Sequence, residues 1–182
     1  YAEYICLSEK PSGLLGVMSK RPTNITYEEA AAAPFGGLEA LHSLGRVNIQ
    51  RGQKVLIVGA GGSTGTYSVQ LAKHYGAEVT GVDSGGKLEM LRSIGADHVI
   101  DYKREDYTKN GQKYDVIMDT IGGSSFGGSV RSLNENGTYL NVSPKLHHRL
   151  QMRWNKGRTN KKLLSYEGEY TTRNLLRLKE LI

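Results

Sequence analysis

Cysteine and long apolar runs are nearly absent from this chain of 182 residues. Its single cysteine, Cys6, cannot form an internal disulfide framework or supply a multi-cysteine zinc site, and one cysteine fits a reducing compartment. The longest apolar runs, such as Val55–Val58, are far too short to cross a bilayer, and residues 1–4 do not have the character of a signal peptide. We therefore expect a soluble, cytoplasmic protein with no membrane partner and no metal site.

The net charge of +6 is unevenly distributed. Residues 145–182 hold ten of the 24 basic side chains but three of the 18 acidic ones. A basic segment of this kind can contact nucleic acid or another anionic surface. However, only Trp154 interleaves with the charges, which makes a poor platform for base stacking. We favour a solvated basic loop over a nucleic-acid contact.

Strand and helix patterns alternate from Lys54 onward. Such alternation is typical of an α/β protein with a doubly wound parallel sheet of the Rossmann type. The patterns predict strands at Val55–Val58, Glu78–Val82, Val99–Ile100, Asp115–Asp119, Thr138–Val142 and Lys162–Glu167, and helices at Thr66–Tyr75, Lys87–Ile94, Phe126–Leu133 and Thr172–Ile182.

The region before Lys54 is less regular. Ala2–Leu7 alternates in polarity and predicts a strand. A capping box that begins at Thr26 predicts a helix start. Pro34 is expected to end this helix, and a second helix is expected at Gly37–Leu44.

A glycine-rich turn, Gly59-Ala60-Gly61-Gly62-Ser63-Thr64-Gly65, follows the first strand of the alternating region. Glycines permit a tight turn and the close approach of a pyrophosphate, while free N–H groups and the helix dipole favour its negative charge. The strand–turn–helix context favours a dinucleotide site. The alternative is a tight turn whose glycines serve packing only.

The end of the second strand carries Asp83, Ser84 and Lys87. A carboxylate here accepts hydrogen bonds from the ribose of NAD, whereas a hydroxyl and a cation suit the additional phosphate of NADP. Asp83 lies 18 residues after Gly65, close to the spacing typical of the ribose-binding acid. The residues alone therefore leave both cofactors open, and Asp83 has a further alternative as a helix N-cap.

Several blocks of sequence resemble the nucleotide-binding domain of the medium-chain dehydrogenase/reductase superfamily. The resemblance is to its zinc-independent, zeta-crystallin-like quinone oxidoreductase branch and runs nearly end to end. The blocks are Glu28-Glu29-Ala30-Ala31-Ala32-Ala33-Pro34, Gly52-Gln53-Lys54-Val55-Leu56-Ile57, the glycine-rich turn, Gly76-Ala77-Glu78-Val79, Ser93-Ile94-Gly95-Ala96-Asp97-His98-Val99-Ile100-Asp101-Tyr102 and Tyr114-Asp115-Val116-Ile117-Met118-Asp119.

The resemblance implies roles for particular positions. It implies that the backbone of Gly62, Ser63, Thr64 and Gly65 binds the pyrophosphate, and that Ser84, Lys87 and Tyr102 hold the 2′-phosphate of NADPH. This favours NADPH, with NADH possible and Asp83 retained as a cofactor-binding residue. The loop Asp119–Gly123, with Ile121 and Gly122, and the segment Asn141–Ser143 match the nicotinamide side. The expected cofactor-binding residues are therefore Gly62, Ser63, Thr64, Gly65, Asp83, Ser84, Lys87, Tyr102, Ile121 and Gly122.

The chain departs from the family pattern in the glycine-rich turn and at two positions of the region before it. Ser63 and Thr64 replace Gly and Val in the turn, but both are small and can still present their N–H groups. Glu39 stands where many members have Thr near the nicotinamide, and its carboxylate either accepts from the carboxamide or points to solvent. Phe35 stands at a zinc-ligand position of the zinc-dependent members, and phenylalanine cannot bind zinc.

The resemblance implies a zinc-free, NADPH-dependent oxidoreductase that transfers hydride to a quinone, an enone or a similar carbonyl acceptor. Residues 1–25 are expected to be a remnant of a mainly β, GroES-like substrate domain, and residues 26–182 a C-terminally truncated Rossmann domain that is inactive alone. No catalytic residue and no particular substrate can be named. The strand Lys162–Glu167 is expected to form a homodimer edge. Alternatives are an RNA-binding or structural member that uses the basic segment, and a zinc alcohol dehydrogenase whose ligands lie upstream.

Overall fold

The computed structural model describes residues 18–155, 157–165 and 171–182. The predicted strand Ala2–Leu7 lies outside these residues, so it stays a prediction, as do the proposed domain boundaries. The strands are β1 Lys54–Val58, β2 Glu78–Asp83, β3 His98–Asp101, β4 Tyr114–Asp119, β5 Leu133–Asn141 and β6 Lys162–Ser165, and the helices are α1 Tyr27–Gly45, α2 Ser63–His74, α3 Leu88–Ser93, α4 Phe126–Arg131, α5 Leu146–Asn155 and α6 Thr172–Leu181.

The six strands form one parallel sheet in the order β3-β2-β1-β4-β5-β6. This is the strand order of a Rossmann fold, so the predicted fold class is confirmed. The order reverses between β1 and β4, which pair in register from Val55 with Val116 to Val58 with Asp119. In an open parallel sheet, ligands bind outside the carboxyl ends of the strands at such a reversal.

Helices cover both faces of the sheet, and each face has its own apolar core. One core joins α1, α2, α3 and α6 to the sheet through side chains such as Leu44, Val69, Leu91 and Leu178. The other joins α4, α5 and the loop after β3. Burial on both faces explains why the strands contain continuous apolar runs rather than alternating polar and apolar residues.

The prediction that Pro34 ends a helix is wrong, because α1 continues through it to Gly45. Proline removes one backbone hydrogen bond. The residues after it nevertheless bury Leu38, Leu41 and Leu44 in the core, and each such side chain contributes about 1.5–3 kcal/mol. Packing of this apolar face therefore outweighs the local preference. The predicted capping box at Thr26 is confirmed, with the Thr26 side chain accepting from the N–H of Glu29.

Several predicted boundaries shift. Helix α2 begins at Ser63 rather than Thr66, so the end of the glycine-rich turn lies in its first turn. The helix predicted at Lys87–Ile94 divides into a 3-10 turn, Gly85–Lys87, and α3. Strand β5 begins at Leu133 and pairs there with Tyr114 before its register shifts. Helix α4, which precedes β5, is therefore shorter than predicted and ends at Arg131.

The expected basic loop after Pro144 is instead a helix, α5. Its side chains are mostly polar, which hides its periodicity, but His148 and Met152 lie one turn apart and are both buried. Strand β6 follows at the sheet edge and ends at Ser165; residues 166 and 167 of the predicted strand lie outside the described residues. No helix of the described chain is long and apolar enough to cross a membrane.

Candidate functional site

A cleft of about 830 Å³ opens at the carboxyl ends of β1 and β4. Pockets of ~300–1,000 Å³ typically hold small molecules and cofactors. Eight of the ten residues proposed from the sequence line it: Gly62, Ser63, Thr64, Gly65, Asp83, Lys87, Tyr102 and Ile121. The fold therefore brings together residues from four separate strand ends.

The glycine-rich turn forms the floor of the cleft. Gly62 is the N-cap of α2, so the N–H groups of Ser63, Thr64 and Gly65 lie in the first turn, where no intrahelical acceptor exists. A Cβ on Gly65 would lie 2.2 Å from the carbonyl oxygen of Gly59. Only glycine permits this close packing of turn and helix. The turn thus presents free donors and the positive end of a helix dipole, which fit a dinucleotide pyrophosphate.

Asp83, at the end of β2, is bound by the turn itself. Its Oδ2 accepts from the N–H of Gly61 at 2.8 Å, and its Oδ1 accepts from the N–H of Ser84 at 2.8 Å. The Nζ atom of Lys87 lies 3.7 Å from Oδ1 and donates to the carbonyl oxygen of Gly61 at 3.0 Å. The alternative of an N-cap does not hold, since Ser84 occupies the position before the 3-10 turn.

Tyr102 and Ser84 are both expected at the 2′-phosphate, but only Tyr102 lines the cleft. Tyr102 is 58% exposed and lines the cleft together with Lys87. The hydroxyl of Ser84 lies 3.4 Å from Asp83 Oδ1, and Ser84 does not line the cleft. Lys87 and Tyr102 are therefore the pair placed to contact a ligand at this end.

Asp119, at the end of β4, accepts the hydrogen bonds that hold the loop at the other end of the cleft. Its Oδ1 accepts from the N–H groups of Ile121 and Gly122, at 3.1 and 2.8 Å. Its Oδ2 accepts from the hydroxyl of Tyr139 at 3.2 Å. Burial and the nearby Asp119 charge raise the pKa of Tyr139 above its ordinary value, so the phenol stays protonated and donates. In the loop after β4, Gly122 is buried and does not line the cleft, whereas Ile121 does.

Glu39 and Phe35 approach the same cleft from α1. The hydroxyl of Thr64 donates a hydrogen bond to Glu39 Oε2. The side chain of Glu39 thus lines the cleft and is held against α2, and its contact with the carboxamide stays a prediction. Phe35 is 67% exposed in the same lining.

No sequence pattern indicated one part of the lining, the loop residues Glu105, Asp106, Tyr107 and Thr108. This loop follows β3 and returns over the sheet because Tyr107 is buried, with its hydroxyl 2.8 Å from Ser129 Oγ. That contact joins elements far apart in sequence, and only the fold reveals it. Among the described residues, no three His, Cys, Asp or Glu side chains converge as a metal ion requires.

Comparison with known proteins agrees with this geometry. The sequence profile of the family described as "Zinc-binding dehydrogenase" matches residues 63–178, more than half of the chain. The chain belongs to this family. It is a quinone oxidoreductase-like member of the medium-chain dehydrogenase/reductase superfamily, as the sequence resemblance predicted.

Relatives of known activity lie in the same superfamily. The chain is 37% identical over 123 residues to 2-methylene-furan-3-one reductase from Solanum lycopersicum, covering 66% of this chain and 30% of that protein. It is 38% identical over 123 residues to the chloroplastic NADPH-dependent alkenal/one oxidoreductase of Arabidopsis thaliana, with the same coverage. The quinone oxidoreductase of Coxiella burnetii superposes with a TM-score of 0.80 at 26% identity, over 90% of this chain and 51% of that one.

The matched part of the chain thus spans 30% of the length of the two plant enzymes and 51% of the Coxiella burnetii protein. The family profile, over residues 63–178, begins at α2 and includes the strands β2 to β6.

Proposed function

We propose that this chain is the cofactor-binding part of a zinc-free, NADPH-dependent oxidoreductase that reduces a quinone, an enone or a similar carbonyl acceptor. The observation that carries the proposal is the cleft at the strand-order reversal. Its floor offers free first-turn N–H groups, and its β2–β3 end offers Lys87 and Tyr102. The names of relatives, which include an NADPH-dependent alkenal/one oxidoreductase and a quinone oxidoreductase, support the substrate class.

The preference for NADPH over NADH rests on Asp83 and Lys87. Both carboxylate oxygens of Asp83 are engaged by protein donors, from Gly61 and Ser84. One lone pair remains on each oxygen, but Lys87 Nζ lies 3.7 Å from Oδ1, so ribose hydroxyls would compete with this cation for the positions that are left. Lys87, by contrast, has an exposed side chain that can turn from the Gly61 carbonyl to an incoming phosphate.

When bound, reduced nicotinamide supplies the hydride, and the protein supplies position and electrostatics. The α2 N–H groups would hold the pyrophosphate, and Lys87 and Tyr102 the 2′-phosphate. The loop fixed by Asp119 would hold Ile121 against the nicotinamide end. Since these relatives are about twice as long as this chain, the acceptor pocket is proposed to lie partly on the remainder of the protein.

Titration with NADPH and NADH tests the proposal. We expect tighter binding of NADPH, and we expect Lys87→Ala to weaken NADPH binding about tenfold with little effect on NADH. Lys54→Ala is the matched control, since Lys54 is exposed at the amino end of β1, on the opposite edge of the sheet. Equal affinities for the two cofactors, unchanged by Lys87→Ala, would contradict the NADPH assignment.

We also propose a homodimer through β6, which pairs with β5 on one side and forms the edge of the described sheet. Exposed edges have unpaired backbone donors and acceptors that favour pairing with another strand. Sedimentation velocity at increasing protein concentration tests this assembly. A mass that stays monomeric throughout would rule it out.

A further inference from the structure

One carboxylate in the cleft has no role in the function proposed so far. Glu39 stands on α1 and accepts a hydrogen bond from the Thr64 hydroxyl. Thr64 belongs to the first turn of α2, whose N–H groups are the expected pyrophosphate donors. A negative side chain next to an anion site opposes anion binding unless it serves a neutral part of the ligand.

Close helix packing fixes Glu39 in this place. A Cβ on Gly36 would lie 2.3 Å from Ser63 Oγ and 2.8 Å from the Ser63 carbonyl carbon. Helix α1 therefore contacts the start of α2 directly. Glu39 is three residues further along, on the same face of α1, which brings its carboxylate against Thr64. Backbone packing thus fixes where Glu39 stands on α1, and the Thr64 hydroxyl orients its carboxylate.

The cleft is asymmetric, and Glu39 lies away from its adenosine end. Asp83, Lys87 and Tyr102 mark the end formed by β2 and β3. Helix α1 packs mainly on α2 and α6, whereas α3 packs on β2 and β3. Glu39 therefore approaches from the half of the site where Ile121 and Ser143 also line the cleft.

The chemistry of a carboxylate limits what it recognises there. It accepts hydrogen bonds and donates none, and one bond from Thr64 leaves further lone pairs available. In the nicotinamide half of a dinucleotide, the carboxamide NH2 is a donor that a carboxylate can satisfy. We propose that Glu39 determines specificity for the amide form of the cofactor, by accepting from the carboxamide and rejecting a ring that carries an acid.

This inference rests on the proposed function, and its test uses two ligands that differ only at that group. NADP⁺ carries the carboxamide, and nicotinic acid adenine dinucleotide phosphate carries a carboxylate in its place. Binding of each is measured by calorimetry to the wild-type chain and to Glu39→Gln. Glu105→Gln is the matched control, because Glu105 also lines the cleft but binds Asn110 on the loop after β3. Melting temperatures verify that each variant is folded.

We expect the wild-type chain to bind NADP⁺ at least about tenfold more tightly than the acid analogue, as one charge-assisted hydrogen bond predicts. In Glu39→Gln, the ratio should fall to within about threefold, mainly because the acid analogue gains affinity. Thr64→Val, which removes the donor that orients Glu39, should reduce the ratio part of the way. Glu105→Gln should leave it unchanged.

Two results would overturn the inference and leave the proposed function intact. One is a wild-type chain that binds both ligands equally. The other is a Glu39→Gln variant in which both affinities rise by the same factor, which would mean that Glu39 only repels the phosphates. If the wild-type chain binds neither these ligands nor NADH, the proposed function itself fails.

Discussion

The carboxylate of Asp83 accepts a hydrogen bond from the backbone N–H of Gly61 at 2.8 Å. This contact joins the end of β2 to the glycine-rich turn after β1. A Cβ on Gly61 would lie 2.4 Å from Lys87 Cδ and 3.0 Å from Asp83 Oδ2, so the turn, the acid and the lysine form one packed unit. Asp83 thus has a structural role at the position where sequence reasoning expected a cofactor ligand.

Neutralising Asp83 should alter cofactor preference. Asp83→Asn keeps an oxygen acceptor for the Gly61 N–H but removes the charge that lies 3.7 Å from Lys87 Nζ. Lys87 is then freer to bind a phosphate, so we expect NADPH affinity to rise about threefold to tenfold, with little change for NADH. Fluorescence titration with each cofactor measures this. Glu89→Gln is the control, because it removes an equal charge from a side chain that is 90% exposed on α3.

A methyl group on Gly65 should disrupt the floor of the cleft. In Gly65→Ala, the new Cβ would lie 2.2 Å from the Gly59 carbonyl oxygen and 2.6 Å from that of Ala60. Overpacking of this kind costs about 1–3 kcal/mol, and moving the turn displaces the α2 N–H groups. We expect lower stability and loss of dinucleotide binding. Gly45→Ala, with nothing within 4 Å of its Cβ, should leave both unchanged or slightly raise stability.

The Asp119 carboxylate should be important for stability. Asp119→Ala leaves the N–H groups of Ile121 and Gly122 and the hydroxyl of Tyr139 without their acceptor. Unsatisfied buried donors cost ~1–3 kcal/mol each, and partial relaxation of the loop reduces the sum, so we expect a loss of about 2–4 kcal/mol. Tyr139→Phe removes one of these donors and should cost about 1 kcal/mol. Urea denaturation compares the two, and equal losses would contradict this account.

Asp97 should contribute stability that depends on pH. Partial burial raises the pKa of Asp97, but hydrogen bonds from Lys73 and from the N–H of Val79 outweigh it and hold the pKa below the usual 3.8. A carboxyl with a lowered folded-state pKa stabilises fully above its unfolded pKa and loses that effect as pH falls through the folded pKa. We expect Asp97→Asn to cost about 1 kcal/mol at pH 7.

The difference between wild type and Asp97→Asn should shrink once the pH falls below 3.8. Urea denaturation at pH 7 and at pH 3 measures it. A gap that stays constant over this range would show that the Asp97 charge contributes nothing. Glu89→Gln again provides a control, since its exposed pair with Arg92 should have little effect at either pH.

Local sequence patterns determined much of this protein. The apolar strand before a glycine-rich turn, the alternation of strands and helices, and the capping box at Thr26 each depend on neighbours in the chain. These patterns predicted the parallel sheet, the glycine-rich turn and the polar end of β2, and the family resemblance added Tyr102 and Ile121; eight of the ten candidate residues line the cleft. Periodicity and turn chemistry are local properties, so a sequence reveals them directly.

Tertiary packing decided the rest. It carries α1 through Pro34, because burying Leu38, Leu41 and Leu44 outweighs one lost hydrogen bond. It also forms α5, a helix whose mostly polar side chains hide the periodicity of its buried residues in the sequence. Asp83 binding Gly61 and Glu39 lying against Thr64 are both contacts across more than 20 residues. Such contacts depend on how the elements pack, and no local pattern contains that information.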